Sequence, residues 1–214
     1  MIYLILTASL HNRIPSMVTE DRLARYRYAI SETLRHIPEH IQPLIVENMG
    51  GGQGMCPLEG FSCHGQPVPV VYTDNGLSTF RNKGVNEWLD IQEVMDRVGL
   101  RDEDIIVKLT GRYRLLSPRF LEMVHQTATH KDAWVRWMNV CTGEDDPDDC
   151  VLGCYAARVS VLRYLSWSWM NLFDSPERAM ARFLRSSVSE NRSMAMDRLD
   201  VECVFSDTGR VLCV

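Results

Sequence analysis

Apolar positions along this chain switch between two periods. Ile2–Leu6 (IYLIL) is an unbroken apolar run, the pattern of a parallel strand buried on both faces. In LARYRYAISETLRHI, Leu23, Tyr26, Ile30 and Leu34 recur at helical spacing, with Thr19 as the expected cap and Pro38 as the stop. PLIVEN (43–48), VPVVYT (68–73) and DIIVKL (104–109) read as three further strands. Between the last two, DNGLSTFRNKGVNEWLDIQEVMDRVGL is a turn and then a helix capped near Ser78 or Thr79. Residues 49–68 form a Gly/Cys-rich loop, long for a compact domain and therefore expected to be functional or mobile. Ser117-Pro118 opens another helix, with Ser as cap and Pro in the first turn.

Downstream, DAWVRWMN (132–139) has strand character with aromatic content, and EDDPDD (144–149) is an acidic loop. Cys154–Trp169 and Pro176–Arg185 read as helices. DVECVFSDTGRVLCV reads as two short strands around an Asp-Thr-Gly turn. The strand–helix alternation of the first half predicts a doubly wound α/β sheet, mostly parallel, of about six strands flanked by helices. Ligands in such sheets bind at the carboxyl ends of the strands, near the topological switch point. Thr7-Ala8-Ser9, Glu47-Asn48, Thr73-Asp74-Asn75 and Thr110-Gly111-Arg112 follow the predicted strands.

Charge narrows the ligand. The 214 residues carry a net charge of -5, so no general basic surface is offered to nucleic acid. An anionic ligand must be held by a local basic cluster. Seven cysteines, an odd number without repeated spacing, read as reduced thiols of a cytoplasmic protein. Cys56 and Cys63-His64 lack a second pair at zinc-finger spacing. No apolar run reaches the length of a membrane span, and MIYLILTASL lacks the basic start of a signal peptide.

No GxGxxG follows the first strand, and GxxxxGK[ST] is absent throughout, which argues against a Rossmann dehydrogenase and a P-loop NTPase. Asn75-Gly76, Arg81-Asn82 and Gly84 instead keep the order of an N-x-G-x-x-x-A-R-N-x-G pattern. That stretch resembles one found in GT-A-fold glycosyltransferases. VKLTGRYRLLSPRFLEM is similar to that family's strand, D-x-D corner, apolar pair, Pro and helix, through Leu115-Leu116, Pro118, Phe120 and Leu121. LGCYAARVSVLRYL (152–165) resembles the family's Gly-aromatic-Ala stretch opening an acceptor-side helix.

The whole resembles the small glycosyltransferases of chlorella viruses that build capsid glycans. The resemblance implies a single glycosyltransferase domain over residues 1–214, a UDP-sugar donor of glucose or rhamnose type, a glycan or glycoprotein acceptor, Mn2+ or Mg2+, and work in host cytoplasm. The ending at Val214, directly after a strand-like run, suggests one piece of a longer protein.

The predicted donor-binding set is Thr7, Ala8, Ser9, Arg13, Glu47, Asn48, Asp74, Asn75, Arg81, Lys83, Thr110, Gly111 and Arg112. Arg81 and Lys83 fall in the first turns of a helix, where dipole and cations both favour phosphate; alone they would better suit a solvated face, and the Asn75-Gly76 turn before them brings the two readings level. At the corner where acids would hold a cation stands Arg112, which can stabilise a leaving diphosphate directly with planar bidentate geometry. If a cation binds, Asp74 is the nearest carboxylate by topology. Asp148, Asp149 and Asp197 are equivalent candidates for a general base beside the acceptor hydroxyl. Trp167 is expected in the core, and Trp137 is left open as a sugar-stacking side chain. Two alternatives remain: a nucleotide-binding module without transfer, and another α/β nucleotide-dependent transferase such as a nucleotidyltransferase.

Overall fold

Side chains of the first strand, β1 (Ile2–Ala8), alternate strictly between two cores. Ile2, Leu4, Leu6 and Ala8 enter one cluster, and Tyr3 and Ile5 enter the other. This is why the run is apolar without a gap: both faces of the strand are covered. The structure is a computed structural model; it describes residues 1–10, 20–48, 57–75, 80, 83–173, 175–205 and 209–214, with the side chains of 20 and 21 excepted.

In chain order the elements after β1 are α1 (Glu20–Leu34), β2 (Ile41–Glu47), β3 (Ser62–Cys63), β4 (Gln66–Pro67), β5 (Val70–Tyr72), α2 (Lys83–Val98), β6 (Ile105–Thr110), β7 (Arg114–Leu115) and α3 (Arg119–Thr127). Then come β8 (Ala133–Val135), β9 (Met138–Asn139), β10 (Glu144–Asp145), β11 (Cys154–Arg158), α4 (Val159–Leu162), α5 (Trp167–Asn171), α6 (Pro176–Ser187), β12 (Ser193–Ala195), β13 (Val201–Val204) and β14 (Val211–Cys213).

The central sheet has seven strands, ordered β12-β8-β11-β6-β1-β2-β5. β1 pairs in parallel with β2 and β6, β2 pairs in parallel with β5, and β11 runs antiparallel to β6 and β8. From β1 the chain builds outward through β2 and β5, then returns to place β6 on the other side. The switch point is therefore the β1–β6 seam, with Thr7 opposite Thr110 at its carboxyl end. One face is covered by α1 and α3 and the other by α2, α4, α5 and α6. This is the doubly wound, mostly parallel α/β sheet that the patterning predicts, with seven strands rather than about six.

Several local expectations are corrected. Cys154–Trp169 is not one helix: its first five residues are β11, buried between β6 and β8, and short helices follow. The 132–139 segment splits into β8, in the central sheet, and β9, which pairs with β10 inside the acidic stretch. The Gly/Cys-rich segment contains the β3–β4 hairpin. Ser117 does not cap α3 at its N-cap, which is Pro118, although its hydroxyl accepts from the Arg119 N–H at 3.3 Å. Trp167 is 46% exposed rather than core. The caps Thr19, Ser78 and Thr79, Asp207 and Thr208 of the Asp-Thr-Gly turn, and Arg13, Cys56, Gly76, Arg81 and Asn82 lie outside the described residues.

Candidate functional site at the carboxyl ends of the parallel strands

Polar side chains gather where β1, β2, β5 and β6 end. Lys108 is the one charged residue in β6 and is 1% exposed. Its ammonium donates to Glu87 Oε2 at 2.9 Å, to Thr110 Oγ1 at 2.8 Å and to the Leu152 carbonyl at 3.0 Å. Glu87 comes from the second turn of α2 and also accepts from the Thr7 and Thr110 hydroxyls. Burial works against its charge, but Lys108, the Thr7 hydroxyl and Arg112 outweigh this and hold its carboxyl below the ordinary range. The switch point is thus closed by a neutral, internally bonded pair.

A second cluster lies at the ends of β2 and β5. Asp90, 1% exposed on α2, accepts from Asn48 Nδ2 at 3.0 Å, Thr73 Oγ1 at 2.6 Å and Asn75 Nδ2 at 3.0 Å. Burial pushes its carboxyl up to about 7 despite these three donors, with Glu87 adding to the rise. Asn75 also donates to Glu93 at 2.9 Å. Asn48 Oδ1 is buried without a hydrogen-bond partner.

The third group surrounds Tyr26 of α1. Arg112 donates to the Tyr26 hydroxyl at 3.0 Å, and its guanidinium lies 5.8 Å from the ring centroid. Arg22 lies 5.6 Å from the same centroid, and its Nε donates to the Ser9 carbonyl at 2.5 Å. The Ser9 N–H in turn donates to the Tyr26 hydroxyl at 3.1 Å. Neither guanidinium forms an ion pair among the described residues, and Arg112 Nε is buried with no partner. Burial works against the Arg112 charge, while Tyr26, Tyr113 and Glu87 outweigh it; the unbonded Nε is a buried donor that an anion would satisfy. Gly111 makes this packing possible: a Cβ there would lie 2.9 Å from the Thr7 carbonyl oxygen and 3.0 Å from the Tyr26 ring.

The loop before β11 closes the rim. Thr110 N–H donates to the Gly153 carbonyl at 2.8 Å, and the edge of the Tyr113 ring abuts Gly153. Asp149, 5% exposed, sits three residues before Leu152, whose carbonyl Lys108 holds. Burial raises its carboxyl above the ordinary range, the Cys150 N–H opposes that rise, and Glu177 adds to it. Asp148 and Asp197 are exposed, so burial separates three carboxylates that the sequence leaves equal.

The predicted donor residues therefore divide. Thr7, Ala8, Ser9, Glu47, Asn48, Asn75, Thr110, Gly111 and Arg112 lie along one edge of the sheet, tied together by Asn48 N–H donating to the Ala8 carbonyl and Leu10 N–H donating to Glu47 Oε1. Lys83 is exposed at the start of α2, and Asp74 is exposed after β5. No three His, Cys, Asp or Glu side chains converge as a metal site among the described residues. Cys63 and His64 are engaged with the carbonyls of Leu34 and Ile37. Trp137 is partly buried beneath the Arg185 guanidinium, 5.6 Å from its ring centroid.

Three-dimensional comparison finds this architecture elsewhere. The chain superposes on a protein from Desulfovibrio desulfuricans G20, described as a "putative nucleotide-diphospho-sugar transferase", with TM-score 0.55 and 8% identity, over 91% of this chain and 79% of that one. The two share a fold. It is the mixed α/β arrangement, a mostly parallel seven-stranded sheet flanked by helices, that the strand and helix patterning predicts. A197 from STIV superposes with TM-score 0.47 and 8% identity, over 99% of this chain and 93% of that one. No family model matches the sequence, and no curated protein does.

Sequence reasoning missed Arg22, Glu87, Asp90 and Lys108. A charged residue inside the apolar run DIIVKL was a readable signal, because a strand covered on both faces must supply a partner for it. Arg22 carried no such signal; on a helix it reads as a solvated position.

Proposed function

We propose that this chain is a nucleotide-sugar-dependent glycosyltransferase, moving a hexose or deoxyhexose from a UDP-sugar to a glycan hydroxyl. The observation that carries the reading is the pair Arg22 and Arg112, each set against the Tyr26 ring at the switch point and in no ion pair among the described residues, with Arg112 Nε buried and unbonded. A diphosphate fits that electrostatic demand, and planar guanidinium groups suit its oxygens. The shared fold supports the same reading.

In this mechanism Arg112 neutralises charge on the departing diphosphate as the glycosidic bond breaks, and Arg22 orients the same group. Asp149 is the favoured base for the acceptor hydroxyl, since it is the buried one of the three candidate carboxylates and lies on the loop whose Leu152 and Gly153 carbonyls meet Lys108 and Thr110. The described residues do not fit a resident Mn2+ or Mg2+: the corner after β6 presents a guanidinium, Asp74 is exposed, and no acidic cluster is formed. The capsid-glycan setting and the host cytoplasm follow from the sequence resemblance and are part of the proposal; no described helix is long and apolar enough to cross a membrane.

The test is calorimetric titration of UDP into the wild type, Arg112→Ala and Arg22→Ala, with turnover of UDP-sugars assayed alongside. Loss of about tenfold or more in UDP affinity in each variant, with the fold retained, supports the reading. Equal affinities in all three sink the arginine site. Binding without transfer or donor hydrolysis would favour the binding-only module.

A further inference from the structure

Two features of the β2–β5 cluster have a common explanation. Asp90 is a buried carboxyl whose proton affinity is raised to about 7, and the amide it holds, Asn48, has a buried oxygen with no partner. An ionised carboxylate only accepts, and all three neighbours donate to it: Thr73 and Asn75 to Oδ1, and Asn48 to Oδ2. A neutral Asp90 must instead place a proton. With the Thr73 hydroxyl and the Asn75 amide both donating to Oδ1, the proton falls on Oδ2, facing Asn48. Turning the Asn48 amide end for end would then bring Oδ1, the unsatisfied acceptor, to receive it.

Resting on the nucleotide-sugar reading for its ligand, we propose that Asp90 is a positioning residue: its protonation state decides whether Asn48 offers the ligand an acceptor oxygen or a donor nitrogen. With Asp90 ionised, Nδ2 is held inward and Oδ1 remains to accept from a ligand N–H. With Asp90 neutral, Oδ1 turns inward and Nδ2 is released. Asn48 directly follows β2 on the edge where the strands end, so the exchange alters recognition without moving the backbone.

The surroundings suit such an exchange. On the same helix, Glu87 raises the proton affinity of Asp90, but Lys108 holds Glu87. Glu93 shares the Asn75 amide and is paired with Arg97. Beside Asn48, Glu47 is buried and accepts from the Leu10 N–H, while Asp74, after β5, is exposed. No cation pairs with Asp90 among the described residues, so nothing there forces it to stay ionised.

Two measurements decide the matter. In ligand-free protein, the Asn48 side-chain amide resonances, assigned by their loss in Asn48→Leu, should titrate with a midpoint near 7 and should not titrate in Asp90→Asn. A flat Asn48 response between about pH 5.5 and 9 overturns the proposal. In the second measurement, the UDP-glucose affinity of the wild type should change by about tenfold across that range, and both Asp90→Asn and Asn48→Leu should flatten the change. The same pH dependence in the wild type and both variants overturns it too. If UDP-glucose fails to bind at any pH, the nucleotide-sugar reading falls, while the amide titration still decides the exchange.

Discussion

The Lys108 ammonium lies 2.9 Å from Glu87 Oε2, joining the central strand of the sheet to the second turn of α2 beneath the switch point. Thr7, Thr110 and the Leu152 carbonyl complete the shell, so the pair links β1, β6, α2 and the loop before β11.

Removing one member leaves the other buried and uncompensated. Glu87→Gln should destabilise the fold by about 3 kcal/mol, whereas replacing both residues, Glu87→Leu with Lys108→Met, should cost much less. Urea unfolding of the single and double variants checks this through the coupling energy of the cycle. Additive losses would mean that the pair is not an energetic unit.

Asp90 makes stability depend on pH in the opposite sense to a salt-bridged acid. Its folded proton affinity, raised from 3.8 to about 7, means that the native state holds the proton more tightly than the unfolded chain. The associated stability is therefore fully present below the ordinary carboxyl range and is lost as pH rises through the folded value. A shift of that size corresponds to on the order of 4 kcal/mol. Asp90→Asn should remove this slope and exceed the wild type in stability above neutrality, as measured by denaturant midpoints at several pH values.

Gly153 has no room for a side chain. A Cβ there would stand 2.0 Å from Tyr113 Cε2. Gly153→Ala should destabilise by about 1–3 kcal/mol, and Tyr113→Ala in the same chain should recover part of that loss. Thermal unfolding of the two single variants and the double variant measures it.

Asp149 and Asp148 are adjacent in sequence and differ in burial. Asp149→Asn should lower kcat by about a hundredfold to ten-thousandfold with UDP affinity unchanged, and Asp148→Asn should have little effect. Equal kinetics for the two variants would remove Asp149 from the base role.

Much of the scaffold was legible because β1, β2 and β6 are buried on both faces and the exposed sides of α1, α2 and α6 break their apolar periodicity. β11 was not legible. CYAAR is a short, alanine-rich apolar run that suits a helix as well as a strand, and only its place between β6 and β8 decides. Trp167 misled for a related reason: the α5 face it occupies is set by how α5 packs on α2 and α6, and it instead meets the Phe80 ring at a 45° tilt with centroids 5.3 Å apart. At the site, the strand ends place Thr7, Ser9, Asn48, Thr110 and Arg112 along one edge. The side chains that organise them, Glu87 and Asp90, belong to a helix interior, where a carboxylate ordinarily faces water.

The antiparallel pairing of β11 with β6 has a consequence for biosynthesis. A nascent chain that has emerged only through β6 already carries Thr7, Glu87 and Lys108, but it lacks the Leu152 carbonyl and the Gly153 contact. Docking of this late segment is a long-range step, so assembly of the rim should trail synthesis of the first six strands, leaving an interval in which the lysine side of the seam is open to water.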